Sequence, residues 1–220
     1  MKKINMALIA LLTFISIPSI NAQWKVGVLG GLNFSNWRAE TEMESRTLFG
    51  IGGIIEYSIN DNFSISVEPM YSQKGAVKLK TLTEPEMTTT TSYAELPIFI
   101  KYSIPLSSSI KPYLIAGPTL SYRLKAETEG KYAGLIFTAD LKNVTVPFDF
   151  SFGVSAGFEI PLESISLFLE GRYTYGLVDQ HKNGTFQASS GGLTLTGTMT
   201  DSQWFKNSGI QLLTGIKFIL

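Results

Sequence analysis

Between residues 148 and 177 the chain alternates by twos. Phe148, Phe150, Phe152, Val154, Ala156, Phe158 and Ile160 interleave with Asp149, Ser151, Gly153, Ser155, Gly157 and Glu159. An extended strand sorts such a run into one apolar and one polar face, whereas a helix would smear it around its circumference. After Pro161-Leu162-Glu163-Ser164 the alternation resumes, with Ile165, Leu167, Leu169, Tyr173, Tyr175 and Leu177 on one side and Ser166, Glu170, Arg172 and Thr174 on the other. Both runs exceed the modal globular strand of about five or six residues. They also reach the roughly 9 to 11 residues with which a tilted strand crosses a bilayer. Six further segments carry the same signature, at residues 24–36, 46–59, from 63 onward, 93–104, 110–124 and 207–220. Among these, 110–124 is the least regular, because Pro112 and Pro118 each remove a ladder donor and predict a bulge or a weakened pairing.

The connections between these eight segments alternate long and short, beginning with the long stretch 37–45. Asn60-Asp61-Asn62 is a tight turn, residues 76–92 with the run Thr88-Thr89-Thr90-Thr91 are a polar loop, and 105–109 is a short turn. Residues 125–147 and the Gly/Ser/Thr-rich 179–206 are the other long loops, with Leu135-Ile136-Phe137-Thr138 placed to extend the sheet. Short turns on one side and long loops on the other characterise barrels of the outer membrane. The predicted fold is therefore all-β: an eight-stranded, antiparallel, up-and-down transmembrane β-barrel over residues 23–220. A soluble barrel of inverted polarity would have to fit the large apolar side chains of eight strands into a bore that barely holds small ones.

Composition sharpens this picture. Apolar residues make up 44% of the 220 and charged ones only 16%, yet beyond the N-terminus no apolar run reaches the roughly 18 residues of a membrane helix. Lys2 and Lys3 followed by apolar residues 6–17 predict a secretory signal over residues 1–22, with Ala22 last before cleavage. Its loss would remove two of 18 basic residues and none of the 18 acidic ones, leaving a net charge of −2. Such a balance points to no polyanionic partner, nucleic acid included. Cysteine is absent, so neither disulfides nor thiolate metal sites contribute.

The inward charges are Lys25, Lys74, Lys101, Arg123, Arg172 and Lys217 against Glu56, Glu68, Glu95, Asp149, Glu159 and Glu170. Six of each sign in so narrow a bore predict a charge-paired structural network that closes the lumen. A proton or small-ion path is the functional alternative. His181, two residues after Asp179, is the one histidine and could serve hydrolysis at an outer rim, although a solvated loop residue is the simpler reading. H-E-x-x-H and phosphate-loop motifs are absent from the sequence, and Gly153-Val154-Ser155-Ala156-Gly157 matches G-x-S-x-G in letters only, lying inside the alternating run rather than at a strand-to-helix turn, so no catalytic, cofactor or metal residue is assigned.

Four segments carry a family resemblance: Glu68-Pro69-Met70-Tyr71-Ser72-Gln73-Lys74-Gly75-Ala76, Tyr93-Ala94-Glu95-Leu96-Pro97-Ile98-Phe99-Ile100-Lys101-Tyr102, Lys111-Pro112-Tyr113-Leu114-Ile115-Ala116-Gly117-Pro118 and Glu170-Gly171-Arg172-Tyr173-Thr174-Tyr175-Gly176-Leu177. Together they resemble the PorT-like outer-membrane β-barrel proteins across essentially all of residues 23–220. The resemblance implies the barrel without a shared activity. Its namesake is linked to secretion and surface-protein maturation, and no residue of this chain carries that role across. The expected function is a non-enzymatic protein of the cell outer membrane, surrounded by its lipid and delivered by the outer-membrane assembly machinery. Its four long loops would be open to a protein or glycan ligand. The alternative is a secretion or transport accessory acting through a partner or a narrow pore.

Overall fold

The computed structural model describes residues 24–39, 42–78, 86–106, 109–132, 135–200 and 205–220. The expected signal segment 1–22 lies outside them. The described chain is antiparallel β-structure in twelve strands: β1 (Trp24–Ala39), β2 (Glu44–Ser58), β3 (Phe63–Val67), β4 (Met70–Lys78), β5 (Glu86–Ser103), β6 (Lys111–Tyr132), β7 (Leu135–Asp140), β8 (Phe148–Leu162), β9 (Ile165–Gly176), β10 (Gly184–Ser190), β11 (Leu193–Met199) and β12 (Phe205–Ile219).

The pairing partners form a circuit. β1 pairs with β2, β2 with both β3 and β4, these with β5, β5 with β6, β6 with β8, β8 with β9, β9 with β12, and β12 returns to β1 from Lys25↔Ile219 to Ala39↔Phe205. Within this circuit β3 and β4 share one position. The chain breaks between them at Glu68 and Pro69, where the Gly53 amide donates to the Pro69 carbonyl at 2.9 Å. Gly52 allows that approach, since a Cβ there would lie 2.5 Å from the same carbonyl oxygen.

The segments read as strands are β-structure in the expected phase, except that the one from Phe63 onward, expected as a single strand, is divided into β3 and β4 at Glu68 and Pro69. The polarity is that of a protein with an apolar outside: Ile51 is 60% exposed, while Glu56 on the opposite face of β2 is 1% exposed. Aromatic pairs on the outer surface fall into two tiers. Trp24 meets Tyr57 and Phe63 meets Tyr102 near the short turns, while Phe49 meets Tyr71 and Tyr122 meets Phe148 toward the other end. The expected weakness of 110–124 is real and local. The ladder between β5 and β6 runs to Pro97↔Thr119, resumes at Ile100↔Ala116, and skips the stretch containing Pro118.

The long connections differ from the expectation of loops. Thr88–Thr91 belong to β5 and pair with β4 and β6, because a run of β-branched threonines suits a pleated strand as well as a polar surface. Residues 125–132 prolong β6, and β7 folds back on them from Glu127↔Asp140 to Tyr132↔Leu135, so the segment containing Leu135–Thr138 does extend the sheet. β10 and β11 form a hairpin whose turn is Gly191 and Gly192, at φ 56° and 85°, a conformation that glycine adopts without steric cost. β10 joins β7 through Gln187↔Asp140, Ala188↔Ala139 and Ser189↔Thr138. The circuit therefore carries a sheet extension, β6-β7-β10-β11, that ends at β11.

Candidate functional site

The inward charges collect into three groups along the bore. Nearest the short turns, Lys25 of β1, Glu56 of β2, Lys101 of β5, Glu159 of β8 and Lys217 of β12 meet at the centre. Glu159 accepts from Lys25 at 2.7 Å, Lys101 at 2.5 Å and Lys217 at 2.5 Å. Glu56 faces the same three ammonium groups at 3.5, 3.1 and 2.8 Å. Five strands from all around the circuit are thus tied at one level. In the middle group Arg172 donates to Glu68 at 2.6 Å and pairs with Glu170 at 2.7 Å, while the Tyr113 hydroxyl donates to Glu170 at 3.0 Å. The third group joins Lys74 to Glu95 at 2.7 Å and to Asp149 at 3.6 Å. Ser121 donates to Glu95, and Asn207 to Asp149.

Arg123 stands apart from these groups. Its guanidinium donates to the backbone carbonyl of Thr145 at 2.5 Å and to that residue's hydroxyl. The surplus cation of the first group, together with Arg123, offsets the surplus carboxylate of each of the other two.

Sequence reading missed what lies between the charges. Leu29, Ile54, Met70, Phe99, Ile115, Phe168 and Leu213 are buried together inside the circuit with Tyr113. Four cations rest on ring faces there: Lys101 is 4.5 Å from the Tyr113 centroid, Arg172 4.5 Å from Phe99, Lys217 5.2 Å from Phe168 and Lys74 5.1 Å from Tyr93. Ring faces are negative, so they complement the carboxylates around each cation. Runs such as Ile98-Phe99-Ile100 and Leu167-Phe168-Leu169 are the signal that would have found these residues, because a run apolar at three successive positions must turn its middle side chain inward.

The Asp179 carboxylate and the His181 ring each bond other groups. The Asp179 carboxylate accepts the backbone amides of His181 at 3.0 Å and Phe205 at 3.1 Å, and the His181 ring bonds the Asn183 side chain at 3.0 Å. Both groups brace the connection between β9 and β10. From that connection Gln180 points into the circuit, where Tyr93 donates to it at 3.2 Å. Among the described residues no cluster of three or more His, Cys, Asp or Glu could hold a metal.

Comparison with known sequences decides the family. A profile of the outer membrane protein β-barrel domain matches residues 19–182. The chain belongs to the outer-membrane β-barrel domain family. Its place is the outer membrane. No curated protein matches it significantly. Two solved barrels share the fold at low identity. A major outer membrane protein from Thermus thermophilus is 11% identical, with 89% of this chain and 98% of that one covered and a TM-score of 0.53. The outer membrane protein OprG from Pseudomonas aeruginosa is 11% identical, with 89% and 94% covered and a TM-score of 0.50.

Proposed function

We propose that this family member is a non-enzymatic integral outer-membrane protein, an eight-stranded transmembrane barrel with a charge-paired, closed lumen that supports a surface sheet for contact with a protein or glycan. The observation that carries this reading is the contrast between interior and extension. Lys25, Glu56, Lys101, Glu159 and Lys217 are committed to one another across the bore, while β7, β10 and β11 continue outward and end at a strand with Leu193 and Leu195 75% and 73% exposed. Strand edges of this kind are templates for pairing with another chain. On this reading residues 1–22 direct export, the short turns face the periplasm, and the PorT-like resemblance marks the branch of the family.

Three measurements test it. Unboiled protein from outer membranes should migrate faster than boiled protein, with mature chains starting at Gln23. Planar bilayers should record no stable channel, and openings of nanosiemens size would instead favour the transport accessory. Replacing residues 184–199 by a short Gly-Ser link should abolish binding of the cell-surface partner while keeping the heat-modifiable barrel. Loss of the barrel along with the hairpin would defeat the separation of support from display.

A further inference from the structure

The inside of the barrel changes character above Gln180. A cavity of about 220 Å³ lies there, walled by Met43, Met87, Met199, Phe137, Phe186 and Phe205. Trp37 completes one side, stacked on Phe205 with centroids 4.3 Å apart. Of the polar side-chain atoms among its walls, the buried indole N–H of Trp37 has no hydrogen-bond partner, whereas the threonine hydroxyls are already used. The hydroxyls of Thr89 and Thr128 bond each other, and Thr145 donates to the Leu141 carbonyl while accepting from Arg123. Lys78 is the single charged residue of the lining. A water molecule needs about two to four polar partners to remain in a cavity, and apolar cavities otherwise stay dry and accept apolar guests.

We infer that this mouth cavity binds a small uncharged apolar molecule of alkylbenzene size. The volume carries the size: an apolar cavity of about 150 Å³ takes up benzene, and this one is about half as large again, which scales to roughly nine carbon atoms. The walls carry the chemistry, because thioethers and ring edges make favourable contacts with an aromatic guest and methionine adapts to its outline. Three chain segments far apart in sequence supply the three methionines, so the cavity exists only in the folded mouth. This inference goes beyond the display function, since it requires no surface partner.

The methionines also report on it. Met43, Met87 and Met199 line the cavity, whereas Met70 lies in the apolar layer deeper in the bore. Protein carrying 13C-labelled methionine methyls, held in lipid nanodiscs, is titrated with n-propylbenzene. The three mouth resonances should shift to saturation while Met70 stays in place. Met199→Trp, on a hairpin outside the closed circuit, and Met43→Trp, on the opposite wall, should each weaken the titration at least tenfold, with heat-modifiable migration verifying the barrel. Unshifted mouth resonances would overturn the inference. So would non-saturating shifts shared with Met70, the mark of solvent dissolved in lipid, or unchanged saturation in either folded variant.

Discussion

From Lys217 up to Asn207 the bore is tied together by directional bonds, whereas the mouth beyond Gln180 is walled by Met and Phe that make none. In the bore, Glu159 touches cations from β1, β5 and β12 at once. A strand slipped by one residue would turn each of these charges onto lipid, so the ionic tiers fix register as well as fill space. The Met and Phe side chains of the mouth are held by contact alone, which tolerates repacking. The difference teaches how one sheet can be unyielding at membrane level and adaptable above it.

The strongest way to break the comparison is Glu159→Ala. It leaves the buried Lys101 and Lys217 and the half-buried Lys25 with Glu56 as their shared partner, and breaking a buried ion pair costs about 3 to 5 kcal/mol. A urea titration of the heat-modifiable band should register that loss, and an unchanged midpoint would mean that the tier does not hold the barrel. Leu169→Arg tests the outer face instead, where a charge near the midplane costs about 2 to 4 kcal/mol; normal folding of this variant would mean that Leu169 does not face lipid. Met199→Ala should cost less than about 1 kcal/mol, well below the roughly 2 to 5 kcal/mol of a methionine truncated in a packed core, because its side chain already borders empty space. The smallest effect belongs to Leu195→Lys on β11. Its stability should stay within about 0.5 kcal/mol of the parent, with the change confined to surface binding.

The bore was legible in the sequence because lipid and lumen impose opposite demands on alternate residues, so Phe148 to Ile160 could be phased without any structure. The sheet extension was not, because β7, β10 and β11 face neither lipid nor a packed core along their whole length. Thr194, Thr196 and Thr198 alternate with Leu195 and Gly197 in a pattern that also suits a solvated loop. The charged candidates were legible one by one, as polar residues on an otherwise apolar strand. Their grouping was not, since Lys25 and Glu159 are 134 residues apart and meet only when the circuit closes. Tyr93, Asn207 and Gln180 escaped for a related reason: their roles depend on neighbours supplied from strands or connections distant in the chain.

The two aromatic tiers have one more consequence. Phe49 and Tyr57 lie on the same face of β2, eight residues apart, which is about 27 Å of strand at roughly 3.4 Å per residue. With the tilt of about 40° usual in such barrels, the rings stand roughly 21 Å apart along the membrane normal. A typical hydrocarbon core measures about 30 Å. The apolar band of an outer-membrane barrel is shorter, about 25 Å, and the outer membrane is itself thinner than average, so the ring spacing matches a thin bilayer rather than a typical one.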